Sequence, residues 1–162
     1  MKAMTKLMFA CAAAATFALP AMPLAAQGTG PISLNGDVKA VKIVTDADGK
    51  ERTELVEPGT IVPGDQLVFG TAYANNSAEA VTGFTVTNPL PAAVRLAPDA
   101  DPALDVSVDG GTTWGTIGTL TLTNADGTTR PANHADVTHV RWVLASIAPG
   151  ASGRLTYPAI IR

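Results

Sequence analysis

The fold of this chain is constrained most by its short alternating segments. In each of them larger side chains alternate with small or polar ones, and glycine or proline ends the segment. Residues 66–75 place Phe69, Thr71 and Tyr73 on one parity, and the residues between them are small or β-branched. Successive side chains of a strand point to opposite faces, so this period of two predicts a half-buried β-strand. Residues 81–88 repeat the pattern, and two prolines follow soon after them.

Six other segments carry a similar alternation, and turn residues separate them at intervals of about 8–15 residues. They are residues 38–44, 52–56, 104–108, 120–122, 138–144 and 153–161. The pattern predicts an all-β, immunoglobulin-like sandwich of two antiparallel sheets with about seven or eight strands, after an N-terminal signal helix. Trp142 is the predicted centre of its core. Pro158 lacks an N–H, so it predicts an edge, a bulge or a strand end for the last segment.

The N-terminal segment has the three-part layout of a secretory signal peptide. Lys2 and Lys6 are its cations, residues 7–19 form an apolar run, and Ala26 is a small residue suited to cleavage. The run has about 13 residues, whereas a helix needs roughly 20 to cross the hydrocarbon core of a bilayer. The sequence therefore predicts a signal peptide over residues 1–26 and no permanent membrane span.

Removal of the signal peptide would also remove Cys11, the only cysteine of the chain. A lipid-modified cysteine is the alternative, but Met8-Phe9-Ala10 before it does not fit a lipoprotein signal. The mature chain would then fold without a disulfide or a thiolate site, and its length suits one domain. We expect residues 27–37 to form a flexible lead and residues 38–162 to form the sandwich.

Charge and compartment narrow the range of partners. Loss of the two signal-peptide lysines would change the formal net charge from −3 to −5. The chain has no arginine cluster or basic stripe that could follow a phosphate backbone, so we expect no nucleic-acid partner. The signal peptide predicts an exported protein, either periplasmic or extracellular.

Several phrases together resemble a known bacterial family, the conserved-repeat domain of the "domain of unknown function eleven" type found in exported and surface proteins. The phrases are Val62-Pro63-Gly64-Asp65, Ala74-Asn75-Asn76, Thr87-Asn88-Pro89-Leu90-Pro91, Val106-Ser107-Val108-Asp109-Gly110-Gly111, Val137-Thr138-His139-Val140-Arg141-Trp142 and Ala148-Pro149-Gly150-Ala151-Ser152-Gly153. The resemblance extends from Val38 to Ile161. It implies an immunoglobulin-like sandwich with no established chemistry, usually repeated in large surface proteins.

The strongest candidate for a metal site is the segment His134-Ala135-Asp136-Val137-Thr138-His139, which contains two imidazoles and a carboxylate. A divalent metal such as zinc needs three or four ligands of this kind. On a strand, however, His139 has the parity opposite to Asp136, so His134, Asp136 and His139 converge only if the segment begins irregularly. The alternative is a loop that leads into a strand with a solvent-facing His139.

Two acidic stretches and one tryptophan complete the candidates. Residues 46–51 superficially resemble a calcium loop, but a plain hairpin turn accounts for them better. Asp99, Asp101 and Asp105 could hold calcium weakly or simply form an exposed acidic loop. Trp114 lies outside the alternating segments, so it either stacks on a sugar or anchors a partner, or it folds back over the end of the sandwich.

The sequence thus favours a non-catalytic, exported structural or interaction module, either secreted or part of the cell envelope, with adhesion or assembly as its expected role. It contains no Gly-x-Ser-x-Gly elbow, and we expect neither an enzyme nor a cofactor. The expected partner is a protein or a cell-envelope component, bound through a surface or an exposed sheet edge. A glycan or small-ligand binder that uses Trp114 is the first alternative, and a metal-dependent protein at His134, Asp136 and His139 is the second.

Overall fold

The computed structural model describes residues 30–162, so the predicted signal peptide and residues 27–29 of the predicted lead lie outside the described residues. The described chain forms ten strands and one three-residue 3₁₀ helix at Ile117–Thr119. In chain order the strands are β1 (Ile32–Thr45), β2 (Glu51–Val56), β3 (Gln66–Asn75), β4 (Val81–Pro89), β5 (Val94–Leu96), β6 (Asp105–Ser107), β7 (Thr121–Thr123), β8 (Thr129–Pro131), β9 (His139–Ile147) and β10 (Ser152–Ile161).

Two antiparallel sheets pack face to face, which confirms the predicted all-β, immunoglobulin-like sandwich class. The larger sheet has the order β2-β1-β3-β10-β5 and the smaller sheet the order β4-β9-β6, while β7 and β8 form a separate ribbon. All eight predicted segments are strands. The described residues contain two further strands, β5 and β8. Each is three residues long, as β6 and β7 are, but lacks the alternation beyond its ends that marks the segments around β6 and β7.

The predicted flexible lead is wrong for residues 32–37, because β1 begins at Ile32 and is paired with β3 from there onward. The Asn35-Gly36-Asp37 run has the composition of a turn. In the structure it is extended, with Gly36 opposite Thr71. Pairing along the whole of β3 therefore outweighs the local preference for a turn.

The core lies between β3, β10 and β5 of the larger sheet and β9 and β6 of the smaller one. Val140 and Ala159 are completely buried in it, and Tyr157 is 2% exposed. The Tyr157 ring stacks on Phe69 with 5.1 Å between ring centroids. Trp142, the predicted centre, is only half-buried at the margin of the core, where its ring lies 6.2 Å from that of Tyr157. The larger sheet, rather than β9, supplies the central aromatic side chain.

Pro158 does not place the last strand at an edge, because β10 lies between β3 and β5. Its pairing with β5 covers only residues 159–161, and the Pro158 carbonyl accepts a hydrogen bond from the Ala97 N–H at 3.0 Å, just beyond β5. The N–H and C=O of one strand residue point to the same neighbour. The N–H that proline lacks therefore falls where the pairing with β5 ends.

Asn75 joins the two sheets at the end of β3. Its side chain is 1% exposed, and its Nδ2 donates to the carbonyl oxygens of Glu79 and Ile147 at 2.8 and 2.9 Å. Its Oδ1 accepts from the N–H and the hydroxyl of Ser77 at 3.0 and 2.7 Å. One buried amide thus fixes the β3–β4 turn against the last residue of β9.

Candidate functional site

The structure does not bring His134, Asp136 and His139 together as metal ligands. Arg130 donates to both carboxylate oxygens of Asp136, from Nη1 at 2.6 Å and from Nη2 at 2.8 Å, and this ion pair holds the pKa of Asp136 below its usual value. His139 Nδ1 lies 3.1 Å from the Thr138 hydroxyl oxygen. Within the part of the chain that the structure describes, no group of three or more histidine, cysteine, aspartate or glutamate side chains could hold a metal ion.

Trp114 folds back onto the smaller sheet. Its Nε1 donates to the Gly111 carbonyl at 2.8 Å, and the Arg141 guanidinium lies 4.2 Å from the ring centroid in a cation–π contact. The His139 ring meets the Trp114 ring edge to face, with 6.3 Å between ring centroids. The indole N–H is thus satisfied within its own loop and a cation covers the ring, so Trp114 presents little surface to a ligand.

A network around Asp109 fixes the loop that carries Trp114. The Asp109 carboxylate accepts the backbone N–H groups of Thr112 and Thr113 at 3.1 and 2.8 Å, and the Ser107 hydroxyl donates to it at 2.7 Å. These hydrogen bonds, the one from the Thr113 N–H above all, lower the pKa of Asp109 to about 2. Because Ser107 is completely buried and donates to a carboxylate, its hydroxyl is not exposed as a nucleophile.

The carboxylates of the acidic stretches accept hydrogen bonds from nearby backbone N–H groups or form an ion pair. Asp46 Oδ1 accepts two backbone N–H groups of its own hairpin turn at 2.9 and 3.0 Å. Asp101 Oδ1 accepts one N–H of its loop at 2.8 Å. Asp105 accepts from Arg141 Nε at 2.8 Å. The contacts of Asp46 and Asp101 are those of a turn and a loop, the alternatives that the sequence left open, whereas the ion pair of Asp105 in β6 is a feature that the sequence did not predict.

The β1–β2 hairpin extends beyond the sandwich. Residues 32–40 of β1 pair with β3, whereas residues 40–45 pair with β2. Residues 41–45 therefore have a strand partner on one side only, and β2 is the outer strand of the larger sheet. The far half of the hairpin is a two-stranded ribbon, which is marginally stable by itself in water.

An apolar surface occupies one face of this hairpin. Val41 lies opposite Leu55 and Ile43 lies opposite Thr53, so these four side chains share a face. Ile43 is 66% exposed and Leu55 is 55% exposed. We call the surface formed by Val41, Ile43 and Leu55 the hairpin patch.

A groove of about 390 Å³ opens between the sheets where β1 and β4 meet the interior. Its lining includes Gly36 and Val38 of β1, Thr71 of β3, Asn88 of β4 and Tyr157 of β10. This volume is within the range of roughly 300–1,000 Å³ that small ligand sites occupy. Most of the lining is apolar, and we call this site the lateral groove.

Neutral polar groups of three residues reach the lateral groove. Asn88 Nδ2 donates to the Thr71 hydroxyl at 2.7 Å. The Tyr157 hydroxyl makes no hydrogen bond to any residue in 30–162, and burial raises the Tyr157 pKa to about 12. Among the described residues no fully buried side-chain oxygen or nitrogen lacks a partner, so the small exposed part of Tyr157 includes its hydroxyl.

Sequence reasoning missed both surfaces. The residues of the hairpin patch alternate like those of a core strand, and the alternation does not reveal that they lie on the face of β1 opposite to Val38 and Ala40, which pack against the core. Gly36 is a cue for the lateral groove, because a glycine in a strand often marks a bulge or a close approach of another chain. The sequence pattern of the other lining residues is that of ordinary core residues.

Among residues 30–162 there is no helix long and apolar enough to cross a bilayer. A comparison of the chain with protein-family models, with curated proteins and with solved structures finds no significant match.

Proposed function

We propose that this chain is a non-catalytic, exported module that binds a protein partner or a cell-envelope component through the β1–β2 hairpin. The observation that carries the proposal is the hairpin patch. Ile43 and Leu55 are two of six large hydrophobic residues that are exposed among the described residues, and they lie on one face of a projecting ribbon. Contiguous exposed apolar surface of this kind is characteristic of interaction sites.

The neighbourhood of the hairpin patch supports the same role. Ile61 and Val62, in the connection from β2 to β3, are also large exposed hydrophobic residues. An outer strand such as β2 has backbone groups free to pair with another chain. The charged residues of β2, including Arg52 and Glu54, limit unspecific pairing of this edge, as charges do on many natural edge strands. Selective binding rather than aggregation is the expected result.

Export and family membership belong to the proposal. The two lysines, the apolar run and the small residue at position 26 support secretion. The likeness of residues 38–161 to the bacterial conserved-repeat domain supports a place among exported surface proteins. Adhesion or assembly in the cell envelope is the role that we propose from these features.

The test compares the protein from residue 27 onward with a double variant of the hairpin patch. We expect the wild-type protein to capture a component from a cell-envelope fraction of its own host, and Ile43→Ser with Leu55→Ser to abolish that capture. Val143→Ser is the matched control, because Val143 is 62% exposed on the other sheet and should not affect capture. Equal capture by all three proteins, or catalytic turnover of a compound from that fraction, would refute the proposal.

A further inference from the structure

The two sheets differ in width on the side of β1. The Asn88–Thr71 hydrogen bond places β4 over β3, and the contact between the Trp142 and Tyr157 rings places β9 over β10. The smaller sheet ends at β4, and no described strand continues it. The position over the first half of β1 is therefore empty, and the lateral groove lies there.

The face of β1 below that position is a core face that nothing covers. Ile32, Leu34, Gly36 and Val38 share one parity of β1, and Ile32 is buried while Val38 packs against the core. Between them, Leu34 is 43% exposed although it points to the same side. A Cβ built on Gly36 would meet no atom closer than the Gly70 carbonyl oxygen at 3.9 Å. The apolar face of β1 is thus open to a ligand that supplies the missing layer.

Two strand edges border the groove. Residues 32–39 of β1 pair only with β3, and β4 pairs only with β9. Each strand therefore has a row of backbone groups without a strand partner on the side of the groove. An extended polypeptide can pair with such a row, whereas a compact small molecule cannot satisfy it.

The lateral groove offers no unpaired charged group to a ligand, so it favours an uncharged occupant. Asp37 belongs to the parity opposite to Gly36 and Val38, and Arg154 donates to it across Gly70 on the outer face of the larger sheet. Asp37 itself lines the groove, but its carboxylate is paired with Arg154, and the other polar residues of the lining, Thr71, Asn88 and Tyr157, are all neutral. A charged side chain would be desolvated there without a partner, at a high cost in free energy.

We propose that the lateral groove binds an extended, uncharged segment of a partner protein, which adds as a strand beside β4 and covers Leu34 and Gly36 of β1. The segment presents small or apolar side chains to β1 at every second position. Its backbone pairs with β4, and the Tyr157 hydroxyl gains its missing hydrogen-bond partner. This inference rests on the proposed function, to which it adds a second site and the chemistry of the bound segment.

The test uses a panel of fluorescent peptides of about seven residues, the length of a typical strand. Each has blocked ends and alternates valine or alanine with threonine or serine. Matched controls carry a central proline, which removes an N–H from the ladder, or glutamate in place of valine. We expect fluorescence anisotropy to give dissociation constants of about 1–100 μM for some uncharged peptides. Both control sets should fail to bind.

Variants then locate the site. Gly36→Val places a side chain in the groove, with its Cβ 3.9 Å from the Gly70 carbonyl oxygen, and should weaken binding at least about tenfold, whereas Asn35→Val, on the outer face, should leave it unchanged. Tyr157→Phe loses no hydrogen bond of the free protein, so the fold should be retained while the affinity falls about fivefold. Circular dichroism checks that each variant is folded.

Three results would overturn this inference: no peptide of the panel binds at about 1 mM, the proline peptides bind as well as the others, or Gly36→Val binds unchanged. Binding of a neutral saccharide that Gly36→Val blocks, without binding of any peptide, would also overturn it and identify the groove as a sugar site. The proposed function stands or falls separately, because its capture assay depends on Ile43 and Leu55 and not on the groove.

Discussion

Replacement of Asn75 by alanine tests whether one buried amide holds the two sheets together at the end of β3. The Asn75 side chain is 1% exposed, and its Nδ2 reaches three carbonyl oxygens within 3.2 Å. Its Oδ1 serves two donors of Ser77. Alanine would leave all of these groups without their partner and would open space in a closely packed corner.

The loss of unfolding free energy depends on which of these groups water cannot reach in the variant. The hydrogen bond to the Ile147 carbonyl is buried, whereas the bonds to Glu79, Ala148 and Ser77 are partly buried and can be replaced by water. A buried group that loses its partner costs about 1–3 kcal/mol, and each replaced bond costs a fraction of that. We expect Asn75→Ala to lower the free energy of unfolding by about 2–4 kcal/mol. The melting temperature should then fall by roughly 6–12 °C.

The assay is urea unfolding of the protein from residue 27 onward, followed by tryptophan fluorescence and by circular dichroism. Asn76→Ala is the matched control, because Asn76 is the exposed neighbour, and its effect should stay within about 0.5 kcal/mol. Asn75→Asp keeps the acceptor oxygen but removes the donors, so it should destabilise at neutral pH at least as much as alanine. If Asn75→Ala and Asn76→Ala unfold at the same urea concentration, the amide does not join the sheets.

Three further predictions follow from burial, close contact and titration. Val140→Ala should lower stability by about 2–3 kcal/mol, whereas Val143→Ala, in the same strand but 62% exposed, should be nearly neutral in the same urea assay. Gly153→Ala should destabilise by about 1–3 kcal/mol, because its new methyl group would lie 2.4 Å from the Tyr73 hydroxyl oxygen and 2.6 Å from Cζ of that ring and would force the side chain to move. Since the pKa of Asp109 is lowered to about 2 from 3.8, its stabilising contribution is complete above about pH 4 and is lost as the pH falls toward 2. Trp114 fluorescence should therefore change over that range in the wild-type protein, and Asp109→Ala should remove most of the change.

The sequence predicts most accurately the bounds of those strands whose alternation is long and uninterrupted. The expected strand at residues 66–75 coincides with β3, and that at residues 81–88 is one residue shorter than β4. Strand β5 has three residues and follows two prolines, so no period can be recognised in it. The first periodic segment that the sequence shows begins at Val38, and the pairing with β3 extends the strand back to Ile32 through residues that favour turns.

The sites were less predictable than the strands for a physical reason. Whether Leu34 is covered depends on how many strands the opposite sheet contains and how far it extends, and no local pattern encodes either quantity. Ile43 lies on the other, outer face of β1, and the sequence does not tell which face of this strand the core covers. The residue types that drew attention in the sequence have local partners instead: Trp114 Nε1 donates to the Gly111 carbonyl, and Asp136 is paired with Arg130. Polar residues near turns form such local contacts readily, so their clustering in sequence is weak support for a ligand site.

Unequal sheets separate the part of this fold that provides stability from the part that is free to bind. The buried cluster, which includes Val140, Tyr157 and Ala159, lies where both sheets are present, so that region can close its core without β2 or the exposed face of β1. Apolar surface left in water forgoes roughly 25 cal/mol per Å², so Leu34, Ile43 and Leu55 contribute less to folding than buried residues of the same size. A partner that covers them recovers this free energy on binding. The same substitutions at these positions should therefore affect binding more than stability, which is the reverse of what the core residues should show.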